Sequence, residues 1–273
     1  MGLFENKTYL ISGASRGIGK AIALKLASEG ANIVIASKST EENPKLGGTI
    51  YSAAEEVIAA GGKALAVPCD IRDEAMITDV VHQAINTFGA IDGLINNASA
   101  ISLTSTLDTP SKRFDLMFDI NVRGTYLLTQ HCLPHLLQAE HAHILTLSPP
   151  IDLQPKWLGA HPAYTLSKFN MTLLAMAWAE EFKHKNISSN SLWPATTIAT
   201  AAVNNLLGGD YLMQRSRKPE IVADAVHFLF QQKSKAYTGI QWLDEALLQQ
   251  AGITDLEHYR VNTAMPLQPD LFL

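Results

Sequence analysis

Thr8-Tyr-Leu-Ile-Ser12-Gly13-Ala-Ser15-Arg16-Gly17-Ile18-Gly19 is the stretch whose reading decides the fold. Residues 8–12 form a short, mostly apolar run that reads as a strand. Residues 18–28 carry a helical pattern, with Gly30 as its stop. The glycines between them have separate uses. Gly13 permits a tight turn, Gly17 lets backbone approach a phosphate, and Gly19 lets the helix pack on the strand. Strand, glycine loop and helix in that order is the context of a dinucleotide fingerprint, with pyrophosphate resting on N–H groups at the helix N-terminus. Gly13, Ser15, Arg16, Gly17, Ile18 and Gly19 are therefore the candidate cofactor-binding loop. A glycine loop alone also makes a plain turn, so the fold depends on the remainder of the chain.

The same alternation continues outward. Further strands are predicted over residues 32–36, 63–69, 91–96, 143–147, 187–193 and 239–243. Helices are predicted over 51–60, 73–88, 112–137, 161–182 and 219–231. Strands alternating with helices imply a parallel sheet joined by right-handed crossovers. The expected fold is α/β: a single doubly wound Rossmann-type domain, with a parallel sheet of about seven strands and helices on both faces. Its core spans residues 5–245, and residues 246–273 form a C-terminal extension that either wraps a neighbouring subunit or frays.

Ligands in such sheets lie beyond the carboxyl ends of the strands. The end of the second strand decides the cofactor. An acid there binds a ribose 2′-hydroxyl, whereas a cation suits a 2′-phosphate. Here the segment is Ser37-Lys38-Ser39, with Arg16 available from the glycine loop. Two cations and two hydroxyls favour NADP(H) over NAD(H). Glu41 and Glu42 come next, in a surface insertion, residues 41–49. Asp70, after the third strand, either accepts the adenine amino group or caps the next helix, for which Asp73 is the better candidate. Asn97, in the polar pair after the fourth strand, falls at the same edge.

Composition narrows the partners. The 273 residues are 47% hydrophobic with mean hydropathy +0.05, enough for a substantial core. A net charge of −5 with no basic block argues against nucleic acid and anionic membrane. Cys69 and Cys132 are the only cysteines, which points to a reducing compartment without a disulfide framework. The N-terminus lacks the pattern of a signal peptide, and no apolar run is long enough to span a bilayer, so a soluble cytoplasmic protein is expected. His131 and His135, and His141 and His143, have metal-like spacing, but without nearby Cys or acidic partners they read as surface positions, and no metal is predicted.

Chemistry concentrates in Tyr164-Thr-Leu-Ser-Lys168. On a helix, residues four apart share a face, which brings a phenol and an ammonium into one site. A nearby cation favours phenolate, so Lys168 is expected to lower the Tyr164 pKa towards the working range. A phenol so tuned gives a proton to a carbonyl oxygen or takes one from an alcohol. A core tyrosine beside a snorkelling lysine is the bland alternative. Asn121, amid apolar residues in the 112–137 helix, needs partners for its amide and either ties down a helix kink or works through its backbone.

Ser12-Gly13-x-x-x-Gly17-x-Gly19, Asn96-Asn97-Ala98, Asn121-x-x-Gly124 and Tyr164-x-x-x-Lys168, in that order and spacing, resemble the short-chain dehydrogenase/reductase superfamily. The resemblance implies that Tyr164 is the general acid/base and that Lys168 lowers its pKa and binds the nicotinamide ribose. It also implies that Asn121 holds a water linking Lys168 to solvent, and that the enzyme assembles as a homodimer or homotetramer. One departure concerns the family's catalytic serine, commonly thirteen residues before the tyrosine. That position is Ile151 here, or Pro149 if two residues are inserted. Ser148 is adjacent and takes the role only if Pro149 and Pro150 re-aim the strand exit, since successive side chains alternate faces. The expected activity is hydride transfer between NADP(H) and the carbonyl or alcohol of a small apolar or lipid-like substrate. The alternatives are a nucleotide-binding protein with little or no turnover and an enoyl reductase on the same fold. Leu206, Leu207, Tyr211, Leu212 and Met213 either form an apolar lid or pack on the core.

Overall fold

The computed structural model describes residues 2–233 and 235–273. In chain order the main elements begin with β1 Thr8–Ser12, α1 Gly17–Ala27, β2 Asn32–Ser37, α2 Ile50–Ala59, β3 Lys63–Pro68, α3 Glu74–Phe88 and β4 Gly93–Asn96. They continue with α4 Ser111–Met117, α5 Thr125–Leu136, β5 Ala142–Leu147, α6 Pro155–Ala160, α7 Pro162–Glu181 and β6 Ile187–Trp193. The chain then forms α8 Gly209–Gln214, α9 Glu220–Phe230, β7 Gln241–Leu243 and α10 Asp244–Gln250. The strands make one seven-stranded sheet in the order β3-β2-β1-β4-β5-β6-β7, and every pairing is parallel. The order reverses direction between β1 and β4, and that switch point lies beside the glycine loop.

Strand alternation divides the core into two layers. Ile11, Ile33 and Ile35 face α1, α2, α9 and α10 through Ile22, Val57, Val226 and Leu247. Leu10, Val34 and Leu94 face α3, α5 and α7 through Val80, Leu128 and Trp178. A third, smaller cluster of Met117, Tyr164, Phe169, Trp193 and Phe272 sits apart from both.

Four local expectations are corrected. The helix predicted over 112–137 is interrupted by a π-helical segment, Phe118–Gly124. Hydrophobic periodicity does not register one extra residue per turn, and such turns occur often at functional sites. The 246–273 extension is neither frayed nor wrapped on a neighbour. It begins inside α10 and folds back on its own chain, with Thr196 bridging Pro269 and Thr197 N–H donating to the Gln268 carbonyl at 2.9 Å. The last residue of the insertion, Thr49, starts α2 through a capping box with Ser52. His143 is buried rather than on the surface, its ring stacked on Phe230 at 4.7 Å between centroids, and burial pushes its pKa down to about 3. A strand covered on both faces leaves no solvent position for that ring.

Candidate active site

The glycine loop is built by its backbone. Gly13 and Gly17 adopt φ of +70° and +58°, the left-handed region that side chains disfavour. Gly19 has an ordinary backbone but no room, since a Cβ there would sit 2.5 Å from Asn97 Nδ2. Asn97 explains the crowding. Its Nδ2 donates to the carbonyls of Ser12 and Gly13 at 2.9 and 3.1 Å, which ties the β4 exit to the loop. Ser12 completes the tie, its Oγ accepting the Asn97 and Ala98 N–H groups at 3.0 Å each. Arg16 occupies the N-cap of α1 without a side-chain capping bond, so the first N–H groups of the helix are left for a ligand.

A cavity of about 340 Å³ opens over this loop. Gly13, Ser15, Arg16, Gly17, Ile18, Lys38, Asp70 and Asn97 all line it, joined by Ser37, Ser39 and Thr200. Of the residues expected to contact cofactor, Gly19 packs behind the loop and Lys168 lies outside the cavity lining. Left-handed glycines, an uncapped helix N-terminus and a strand end bearing hydroxyls and cations fit a dinucleotide. At the adenosine end, Arg16 Nε donates to the Gly47 carbonyl at 2.8 Å. Its Nη2 donates to the Gly48 carbonyl and to Ser39 Oγ at 2.9 Å each. The insertion thus folds over onto the glycine loop. Asp73, whose Oδ1 accepts from Ala75 N–H at 2.9 Å, caps α3. Asp70 instead pairs with Arg72, whose hydrogen bonds hold its carboxyl below the usual range.

The other end of the cleft holds the catalytic candidates. Pro162 opens α7 in its first turn, where a missing N–H costs nothing. Tyr164 and Lys168 are 4% and 2% exposed. The expected lowering of the tyrosine pKa is corrected: burial first, and the Asp270 carboxylate second, push the phenol above its ordinary value. The Lys168 ammonium does not reach the phenol. It donates to the Leu147 carbonyl at 2.7 Å and lies over the Trp193 ring at 5.1 Å, and burial lowers its pKa from 10.5 to about 7. Asn121, on the π-helical segment, is fully buried and bridges two elements. Its Oδ1 accepts from Ala100 N–H at 2.7 Å, and its Nδ2 donates to the Ala100 carbonyl and to Ser167 Oγ, each at 2.9 Å. Ser167 in turn donates to the Tyr164 carbonyl at 2.8 Å, so Asn121 holds the first turn of α7 against the β4 exit.

Ser148 stands apart from this group. It continues the β5–β6 ladder through its N–H to Leu192 and is fully buried, with Thr172 Oγ1 2.8 Å from its Oγ. The two prolines do not re-aim it, because Thr172 Oγ1 also lies 2.7 Å from the Pro149 carbonyl and fixes that turn. Ser148 is therefore turned into the protein and away from the phenol. Sequence reading missed the walls around Tyr164, namely Trp157, Trp193 and above all Phe272, whose ring centroid lies 6.2 Å from that of Tyr164. The only signal in the tail was its apolar ending, which has no period to place it.

A model of the short chain dehydrogenase family matches residues 7–208. The chain belongs to that family. Hydroxysteroid dehydrogenase-like protein 2 of Homo sapiens is 53% identical over 266 residues, which are 97% of this chain and 63% of that protein. The chain thus spans less than two thirds of the length of such relatives. The crystal structure of a putative dehydrogenase from Xanthomonas campestris superposes with a TM-score of 0.95 at 52% identity, over 99% of this chain and 98% of that one. More distant short-chain dehydrogenases include a Mycobacterium paratuberculosis protein bound to NAD (25% identical, TM-score 0.75) and a metagenomic one in complex with NADP (26%, 0.71). The chain is thus an oxidoreductase of a family that uses nicotinamide cofactors and small-molecule substrates. Among the described residues, no helix is long and apolar enough to cross a membrane.

Proposed function

We propose that this short-chain dehydrogenase uses NADP(H) to interconvert a carbonyl and an alcohol on a small apolar or lipid-like substrate. The observation that carries the reading is the juxtaposition of Tyr164 and Lys168 on one turn of α7, within an apolar cluster at the carboxyl edge of the sheet. The nicotinamide, when bound, supplies or accepts the hydride. The protein's own residues bind, orient and move the proton. Gly13, Ser15, Gly17 and Ile18 cradle the pyrophosphate with backbone. Arg16, Lys38, Ser37 and Ser39 surround the 2′-phosphate, where no carboxylate stands at the β2 end to repel it. Asp70 borders the adenine and Asn97 fixes the loop beneath the nicotinamide end. Lys168 exchanges its Leu147 contact for the ribose hydroxyls. Tyr164 gives its phenolic proton to the carbonyl oxygen in reduction and recovers it in oxidation. The substrate is apolar because the phenol's neighbours are Trp157, Phe169, Trp193 and Met117.

NADPH oxidation against a panel of diketones, long-chain aldehydes, keto-acyl thioesters and steroids tests the reading, with binding followed separately by nucleotide fluorescence. The inward turn of Ser148 favours a second reading, a nucleotide-binding protein with little turnover. Tight NADPH binding with no activity in any member of the panel is its signature. Tyr126, Leu166, Leu173 and Met176 on α5 and α7 are 38–51% exposed, which supports a homodimer or homotetramer assembled on those helices. Light scattering that returns only monomer contradicts that assembly.

A further inference from the structure

With Ser148 turned inward, the reacting oxygen beside Tyr164 has one hydrogen-bonding partner fewer than the family's chemistry uses. The C-terminal tail brings another group to that place. Its backbone is held on both sides of Asp270. Gln268 N–H donates to the Arg215 carbonyl at 2.9 Å, and Asp270 N–H donates to the Ala195 carbonyl at 3.2 Å. Trp193 Nε1 then donates to the Leu271 carbonyl at 3.0 Å. Phe272 locks the end, its ring set among Trp157, Phe169, Trp193 and Tyr164 at 5.3–6.2 Å between centroids. To reach that cage Phe272 adopts φ of +74°, a costly conformation for a bulky residue and one that persists where function or packing demands it.

The two carboxyl oxygens of Asp270 differ. Oδ1 accepts the Leu271 N–H at 2.7 Å, while Oδ2 makes no hydrogen bond among the described residues. Trp193, which holds the tail by its indole N–H, also carries the Lys168 ammonium over its ring. We propose that Asp270 is the second hydrogen-bonding group of the reaction site, its carboxyl O–H directed at the substrate oxygen in the place left by the absent serine. The inference rests on the proposed tyrosine-dependent carbonyl chemistry. In reduction the hydride adds to the carbonyl carbon, the C=O π pair moves to oxygen, and that oxygen takes the Tyr164 proton. Asp270 stabilises the growing charge through O–H···O and keeps its own proton, so nothing is consumed at the carboxyl.

The charged and titratable groups facing Asp270 are Asp244 from the start of α10 and Tyr164 and Lys168 from α7. Burial and the Asp244 charge raise the Asp270 carboxyl to about 7, with Lys168 opposing. The donor form is accordingly present below about pH 7 and lost above it.

The test has two readouts. In the cofactor-free protein, the infrared difference between wild type and Asp270→Asn should contain a carboxylic-acid C=O band that disappears as pH rises through neutrality. In the carbonyl-reductase assay, Asp270→Ala should lose about 10²–10³-fold in kcat, the loss typical of one oxyanion donor, with KM little changed. Asp270→Asn is nearly isosteric, keeps an acceptor for Leu271 N–H and remains a donor at all pH. It should retain most of kcat and lose the descending limb of the wild-type pH profile. A carboxyl that is ionised throughout the neutral range overturns the proposal, as does an Asp270→Asn profile identical to wild type. Tyr164→Phe run in parallel separates the two failures. If it stays active the tyrosine reading falls, and if it is dead while Asp270→Asn titrates as wild type, only the role of Asp270 falls.

Discussion

Replacing Asn121 by alanine should weaken the protein by about 3 kcal/mol, and the figure comes from three hydrogen bonds. The amide of Asn121 satisfies both backbone groups of Ala100 and one lone pair of Ser167 Oγ. Ser167 keeps its donation to the Tyr164 carbonyl when the amide is lost, so it is not orphaned. The Ala100 N–H and C=O are. Each unsatisfied group costs about 1–3 kcal/mol, and partial solvent access at Ala100 puts each near the lower end. The space left by the fully buried amide adds a smaller cavity contribution. For a chain of this size, about 3 kcal/mol corresponds to a Tm lowered by roughly 6–12 °C. Equilibrium urea unfolding followed by tryptophan fluorescence and circular dichroism is the assay, with coincident transitions required before a free energy is taken. NADPH affinity should change little, because the glycine loop is tied by Asn97 instead. Turnover should fall, because the first turn of α7 loses its tether. A loss below about 0.5 kcal/mol, the scale of an ordinary surface substitution, would refute the reasoning and reassign Asn121 to a solvated position.

Arg16→Ala should raise the Kd for NADPH more than the Kd for NADH, with fluorescence titration of both nucleotides as the check. Equal losses would mean that Arg16 serves the insertion through Gly47, Gly48 and Ser39 and not the 2′-phosphate. Lys168→Met should abolish turnover yet stabilise the cofactor-free protein near neutral pH. The folded-state pKa of Lys168 is lowered by burial from 10.5 to about 7, so the unfolded chain binds more protons between those values and wild-type stability rises with pH across that window. The advantage of the methionine variant should therefore shrink from pH 7 towards pH 10 in unfolding experiments. A constant difference would show that the ammonium is not desolvated.

The parts of this fold legible in the sequence are those encoded by short-range pattern. Each strand of the sheet announced itself as a brief apolar run, and the loop between β1 and α1 by glycines whose backbone roles need no knowledge of distant residues. The Tyr164–Lys168 spacing was equally local, because one helical turn sets it. What the spacing did not convey was direction: Lys168 turns to the Leu147 carbonyl and leaves the phenol under the influence of Asp270, more than a hundred residues away in sequence. The orientation of Ser148 was set by strand alternation, but its partner Thr172 comes from a different element. The π-helical segment at Asn121 and the caging of Phe272 depend on long-range contacts that no period records. His143 was misplaced because its cover, Phe230, belongs to a helix far along the chain.

The most direct test of the central claim is NADPH oxidation by wild type and Tyr164→Phe over the mixed carbonyl panel, with nucleotide binding measured in both. The account predicts turnover with at least one apolar carbonyl, lost in the variant while NADPH binding is retained. Undiminished turnover in Tyr164→Phe would contradict it.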